Sequence, residues 1–271
     1  MLSILIPSSL TMDTADMKLK TYKVGQVARA ASIFCVDEIV IYKDREYDDS
    51  RFIERVLRYA ETPQYLRKRL FGLEPELRFA GVIPPLRTRH HPTVSKRKDL
   101  KEGEFREGVV VSKDVRKGMA LVDIGVEELA VLRLDGDVVR GRVTVQVVSK
   151  EPLEVRLVSR NEIPFHWGYV VRRGGSLGRT LKRMKKDYRI IFTSKFGVFD
   201  MELMKKAFKG NVAFVFGSPS RGLKEILEDE NLAYEDFGGL VVNTVPGQGT
   251  ATVRTEEAIF CTLAVYNVLR Q

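Results

Sequence analysis

The chain has 271 residues, 44% of them hydrophobic and 30% charged, with a formal net charge of +9. This balance excludes a disordered polymer and leaves room for one large domain or two smaller ones with a real core. No apolar run approaches the roughly 20 residues that cross a bilayer, and the basic excess points to an anionic partner, most often nucleic acid or a membrane surface; of the two, nucleic acid is expected and no membrane partner is.

Leu2 to Ile6 reads as a buried strand, and the stretch Met1 to Pro7 lacks the basic start and cleavage site of a secretion signal. Met17 to Phe34 has helical periodicity, with Val24, Val27, Ala28, Ala31 and Phe34 on one face. Glu38 to Tyr42 reads as a second strand. Phe52 to Tyr59 and Pro63 to Phe71 read as helices, the latter with Thr62 as N-cap.

The middle of the chain differs. From about Leu86 to Asn161 no helix is legible. Short strands are predicted at Glu107 to Val111, Met119 to Val122, Ala130 to Leu132, Gly141 to Val148 and Glu154 to Val158. Turns such as Arg116-Lys117-Gly118 and Asp135-Gly136-Asp137 separate them. These short strands suggest a small β-barrel, of which the OB-fold is one candidate.

From Trp167 strands and helices alternate again. Strands are predicted at Gly168 to Val171, Arg189 to Phe192, Val212 to Phe216 and Leu240 to Val242. Helices are predicted at Leu177 to Lys185, Asp200 to Phe208, Leu223 to Glu230 and Thr255 to Leu269. The alternation implies a mainly parallel sheet. The simplest architecture is one α/β domain of residues 1–86 plus 162–271, interrupted by a barrel at 87–161. Three consecutive units would leave the first segment only two strands for a core.

Cys35 and Cys261 each sit in an apolar helical context and form no C-x-x-C pair. No metal site or disulfide framework is expected, and a reducing, cytoplasmic home is.

Three loops at strand ends stand out: Thr193-Ser194-Lys195-Phe196-Gly197, Gly217-Ser218-Pro219-Ser220-Arg221-Gly222, and the run from Val241 to Thr250. Ligands of open α/β sheets bind at the carboxyl ends of strands, and glycines let a backbone approach them closely. Taken alone, the last loop is equally an ordinary glycine-rich turn. The phosphate-binding G-x-x-x-x-G-K-[ST] and the dinucleotide G-x-G-x-x-G are both absent. Gly174-Gly175-Ser-Leu-Gly178 has the wrong spacing and reads as a flexible loop. His90, His91 and His166 show no metal spacing, and there is no G-x-S-x-G.

Basic residues gather at both ends of the insertion. Arg87, Arg89, Lys96, Arg97 and Lys98 cluster at its entry, and Arg172, Arg173, Arg179 and Lys182 just after its exit. They are either solvated faces or a groove that tracks phosphates, and two runs meeting at one hinge favour nucleic acid.

Phe216-Gly-Ser-Pro-Ser-Arg-Gly-Leu223, Asn243-Thr-Val-Pro-Gly-Gln-Gly-Thr250 and Val253-Arg-Thr-Glu-Glu-Ala258 resemble the SPOUT RNA methyltransferases. The likeness is to the archaeal and eukaryotic branch with an OB-like insertion. Thr193-Ser194 after its strand and Trp167-Gly168-Tyr169 before it also fit. The resemblance implies a SPOUT-type α/β knot with a mainly parallel sheet, a C-terminal trefoil knot, and bent S-adenosyl-L-methionine held in the knotted loops. It implies a homodimer with sites built from both subunits, acting on RNA, with ribosomal RNA as the target and uridine N3 as the acceptor. A non-catalytic RNA-binding assembly factor on the same fold, or a protein methyltransferase, are the alternatives.

The same resemblance places the cofactor against Thr193, Ser194, Phe216, Gly217, Val242, Asn243, Thr244, Val245, Pro246, Gly247, Gln248, Gly249 and Thr250. The adenine lies at the Val245-Pro246 turn. Arg221, Asn243, Arg254 and Glu256 become candidates to orient the acceptor base or take its proton. Glu256 and Glu257 equally suit the first turn of a helix, and Arg254 a phosphate contact. The stripe Ile259, Leu263 and Tyr266, with Thr262 and Leu269 beside it, serves either a dimer interface or its own sheet. The barrel is expected to grip RNA. With Phe105 nearly its only aromatic, backbone contacts are expected over stacking.

Overall fold

The computed structural model describes residues 1–134 and 140–270, so the predicted turn Asp135-Gly136-Asp137 lies outside the described residues. The chain divides into two compact units. One comprises Met1–Ala60, Pro75–Pro85 and the chain from Tyr169 onward; the other comprises Glu61–Glu74 and Leu86–Gly168.

The first unit opens with β1 (Leu2–Pro7), α1 (Met17–Ile33), β2 (Glu38–Lys43) and α2 (Ser50–Glu61). The second holds α3 (Gln64–Leu70), β3 (Phe105–Asp114), β4 (Met119–Asp123), β5 (Ala130–Arg133), β6 (Arg142–Lys150) and β7 (Leu153–Leu157). The first resumes with β8 (Val170–Ser176), α4 (Leu177–Met184), β9 (Arg189–Val198), α5 (Met201–Ala207), β10 (Val212–Val215), α6 (Leu223–Glu228), β11 (Val241–Val242) and α7 (Thr255–Leu269).

The sheet of the first unit runs β11-β9-β10-β1-β2-β8, and every pairing in it is parallel. All six residues of β1 are buried, as a central strand covered on both faces requires. On one face Leu5, Val40, Phe192 and Val215 pack with Leu177 and Leu181 of α4 and Ile226 and Leu227 of α6. On the other, Phe208, Phe214 and Tyr266 pack ring to ring, and α7 lies against α1 and α5. The stripe Ile259, Leu263 and Tyr266 is thus buried within the protomer, with Thr262 beside it.

The second unit is a closed barrel in the order β3-β4-β5-β7-β6, with β5 and β7 parallel and the other pairs antiparallel. This fits the expected OB-like insertion. In β6, Val143, Val145 and Val147 point inward and alternate with half-buried Thr144 and Gln146, the period of a strand with one buried face.

Four local readings are corrected. Thr62 does not cap α3: Pro63 holds that position without a side-chain cap, and the Thr62 hydroxyl accepts from Arg142 Nη1 at 3.3 Å. Gly174-Gly175 is not a flexible loop but the end of β8, which runs on to Ser176 because that residue still pairs with Lys43 of β2, and Ser176 then caps α4. Thr193 to Gly197 is not a loop beyond its strand. β9 continues through it, and these five residues bulge between Phe192 and Val198, which pair with successive residues of β11. Cys35 lies past the end of α1 with φ 55°.

Candidate functional site

Because β11, β9 and β10 are neighbours and parallel, their carboxyl ends open on one edge of the sheet. There a cleft of about 700 Å³ is lined by Thr193, Ser194, Phe216, Gly217, Asn243, Thr244, Val245 and Gln248 among the residues expected to hold a cofactor. Val242 is buried behind the wall, and Pro246, Gly247, Gly249 and Thr250 are exposed outside it. Arg221 and Arg254 also line the cleft, whereas Glu256 does not.

Each wall is tied to its neighbours by hydrogen bonds. Thr193 Oγ1 donates to the Val215 carbonyl at 2.8 Å, joining β9 to β10. The buried Tyr42 hydroxyl donates to the Phe216 carbonyl at 2.8 Å and fixes the start of the Gly217 loop. Thr255 Oγ1 reaches the Gly217 carbonyl at 3.1 Å, so the entry to α7 clasps that loop. Asn243 donates through Nδ2 to the Lys195 carbonyl at 3.0 Å and accepts from the Val245 N–H at 2.9 Å. Gly197 makes this closure possible: a Cβ there would stand 2.5 Å from the Val242 carbonyl carbon. At the outer turn Gly247 has φ 68°, where a side chain would be strained. Gln248 Nε2 donates to the Thr250 carbonyl at 2.9 Å and closes the turn.

Arg221 is held by three carboxylates. Nη2 donates to Asp44 at 2.6 Å and Nη1 to Asp229 at 2.7 Å, while Nε stands 3.0 Å from Glu46. Asp44 is itself buried and accepts from Ser9 Oγ at 2.5 Å. So placed, Arg221 anchors its loop to the ends of β1 and β2. Glu256 is mostly buried and lies 3.4 Å from Lys23 Nζ. Burial raises its carboxyl above the usual range, against the opposing pull of Lys23.

Sequence reasoning missed Lys23 and Asp13, which both line the cleft. Lys23 is buried on α1 and donates to both Asp13 oxygens at 2.8 and 2.7 Å. The signal was a lysine next to Val24 on the apolar side of a helix. A charge there must be paired to be tolerated.

The basic residues fall into two sets, one in each unit. Among the expected RNA contacts, Arg87, Lys96, Lys98, Arg179 and Lys182 are exposed. Three others carry partners within their own units: Arg97 with Glu128 and Glu151, Arg172 with Glu38, and Arg173 with Glu54. Phe105, the one Phe, Tyr or Trp between residues 87 and 161, has aromatic neighbours from just beyond that stretch. Phe165 and Trp167 lie 6.0 and 6.2 Å from Phe105, ring centre to ring centre, and Arg89 stacks 4.5 Å above Phe165.

Among the described residues no three His, Cys, Asp or Glu side chains gather as a metal would need, and no helix is long and apolar enough to cross a membrane.

A parallel α/β sheet with a mixed polar and apolar cleft at three adjacent strand ends is the arrangement in which open α/β proteins bind small molecules. The family described as "Putative RNA methyltransferase" matches residues 1–266, and the chain belongs to it. The human 28S rRNA (uridine-N(3))-methyltransferase is 35% identical over 298 residues, covering 97% of this chain and 77% of the human protein. An uncharacterized protein of Haloarcula marismortui is 36% identical over 285 residues, covering 96% of each chain. The SpoU methyltransferase AviRb from Streptomyces viridochromogenes, solved with AdoMet, aligns with 11% identity and a TM-score of 0.35, covering 100% of this chain and 59% of that one. The chain is an RNA methyltransferase of this family, in agreement with the SPOUT-like motifs at its late strand ends.

Proposed function

We propose that the protein methylates ribosomal RNA at uridine N3 with S-adenosyl-L-methionine as donor. The observation that carries this reading is the cleft at the ends of β9, β10 and β11. Its volume of about 700 Å³ lies in the range of small-molecule sites, roughly 300–1,000 Å³. Its wall also fits the group: Tyr234, Val241 and Val245 offer apolar surface for a nucleobase, and Thr193, Phe216, Gly217, Asn243, Thr244 and Gln248 offer polar main-chain and side-chain partners. Pro246, Gly247, Gly249 and Thr250 shape the loop from outside, and Val242 supports it from beneath. Bound there, the cofactor supplies an activated methyl group.

The chain's own groups do the rest. Arg221 and Asn243 hold the two loops in register through the contacts described above. Arg254, exposed on the wall before α7, meets the phosphate or edge of the acceptor nucleotide. Glu256 acts from behind Lys23. The barrel at 87–161 and the exposed residues Arg87, Arg89, Lys96, Lys98, Arg179 and Lys182 grip the RNA backbone. Arg97, Arg172 and Arg173 do so only by leaving their carboxylate partners.

The protein works as a cytoplasmic homodimer whose interface uses exposed Phe196, Val198, Phe199, Met201 and Leu203, an apolar run without cover in the protomer. The two free cysteines accord with a reducing home. A C-terminal trefoil knot is supported by the likeness of residues 216–223 and 243–258 to the SPOUT motifs.

The test is incubation of ribosomal RNA with methyl-labelled cofactor and the protein, followed by mass spectrometry of the nucleosides. Label in 3-methyluridine is the expected result. Cofactor binding by calorimetry with no label in RNA would replace this reading with that of an RNA-binding assembly factor.

A further inference from the structure

Of the two carboxylates that line the cleft, Asp13 and Glu225, neither is assigned to the reaction above, and Asp13 is the one held by a buried lysine. Asp13 sits on the loop between β1 and α1, and its side chain is 37% exposed in the wall of the cleft. Lys23 grips both of its oxygens from below, at 2.8 and 2.7 Å. Lys23 is 93% buried, and it lies between Asp13 and Glu256, whose Oε2 makes no hydrogen bond. A buried ammonium held by two carboxylates is a fixed device, not a solvated surface pair. Its open end is Asp13, the one of the two carboxylates that lines the cleft.

We propose that Asp13 receives the ring N–H of the acceptor uridine, first as a hydrogen bond and then as a proton, with Lys23 and Glu256 as its positioning residues. This rests on the methyl-transfer reading above. The step balances: the N–H pair forms the new N–C bond, the methyl–sulfur pair stays on sulfur, and the proton passes to the Asp13 carboxylate and then to water. An acceptor N–H is a weak nucleophile until it is deprotonated, and a positioned base contributes about 10²–10⁴-fold. Besides Lys23 and Glu256, the charged groups around the same cleft are Lys195 from β9, Arg221, Lys224 and Glu225 after β10, and Arg254 before α7.

The test compares wild type and Asp13→Asn on an rRNA fragment that the wild type methylates. In the variant, turnover should fall by about 10²–10⁴-fold. Cofactor affinity by calorimetry should stay within about twofold, well under the tenfold that marks one lost contact. Raising the pH to where the acceptor N–H ionises in water should recover part of the rate. Without turnover, wild type should bind the fragment carrying uridine about tenfold tighter than one carrying 3-methyluridine, because a carboxylate left without its donor costs affinity. Asp13→Asn should lose that preference.

Undiminished turnover in Asp13→Asn overturns the assignment. So does a loss that is equal at every pH, or a cofactor affinity weakened tenfold or more, which would place Asp13 in the cofactor pocket. Should Asp13→Asn not fold, Asp13→Ser is read by the same criteria. Failure of the function reading shows separately, as absence of transfer by wild type, and removes the assignment with it.

Discussion

Single hydroxyls and paired charges set the shape of the site residue by residue. Tyr42 is fully buried, and its hydroxyl is the side-chain partner of the Phe216 carbonyl. Tyr42→Phe should cost about 1–2 kcal/mol, the range for losing a buried hydrogen bond and leaving its acceptor unpaired. Urea denaturation measures that loss, and calorimetry should show weaker cofactor binding because Gly217 follows directly. Glu256 makes a prediction of opposite sign. Its carboxyl is raised by burial, so the folded state binds its proton more readily than the unfolded chain does. Its contribution to stability is therefore full below the ordinary glutamate range and is lost as pH rises through the folded value. Glu256→Gln should melt no lower than wild type at neutral pH, and any gain should shrink as the pH is lowered toward 4. A lower melting temperature at pH 7 would mean that the Lys23 pair outweighs burial. Of the residues named from motifs, those in the cleft wall were legible because they follow predicted strands. Asp13 and Lys23 were not, because their meaning depends on α1 lying against α7, a contact between segments more than 200 residues apart.

Elements tell the same story at greater length. The order of strands and helices was readable throughout, since buried runs and helical periodicity are local properties. Where elements end was less so: β8 and β9 both outrun their predicted limits, the first to a capping serine and the second into pairing with β11. The helix–barrel contact in the second unit was invisible in sequence. There Arg142 of β6 reaches Glu61, the first residue of that unit, and Glu107 of β3, both at 2.5 Å, and Trp167 Nε1 donates to the same Glu107. Burial works against an ionised Glu61, but His90 and Arg142 outweigh it and hold its carboxyl below the usual range. Arg142→Met strands two buried carboxylates and should cost about 3–5 kcal/mol, read as a shift in urea midpoint. His91 beside them is lowered to about 4 by burial and by His90. A histidine depressed in this way lends stability above its unfolded value near 6.5 and loses it as pH falls toward 4. The second unit should therefore weaken between about pH 6.5 and 4, and His91→Asn should flatten that slope.

For the whole molecule, the net charge of +9 makes salt the first variable to vary. If exposed basic residues carry RNA binding, log affinity should fall linearly with log salt. Lys182→Ala should reduce the slope by about 0.7–0.9 per lost phosphate contact. Asp13→Asn should leave the slope unchanged. A flat salt response would end the electrostatic account. Phe199→Glu should shift the sedimentation of the protein from dimer to monomer, and monomeric wild type would refute the proposed interface. The two-part layout was readable because helices vanish from the middle of the chain. The capture of Glu61–Glu74 by the barrel unit was not, since those residues read as ordinary helix.

The position of β1 in the sheet also bears on how the protein comes to be made. β1 is fully buried between β2 and β10, yet β10 begins at Val212, some two hundred residues later in the chain. During synthesis, β1 and β2 emerge first and must wait while the whole barrel is completed and folds. Until β8, β9 and β10 leave the ribosome, the apolar strand from Leu2 to Pro7 offers an open edge to any neighbouring chain. The nascent protein should thus depend on chaperones in a definite interval, opening when β1 clears the exit tunnel and closing when β10 does. Ribosome-bound chains stopped at increasing lengths should cross-link to chaperone through that interval and release it once the strand ending at Val215 is out.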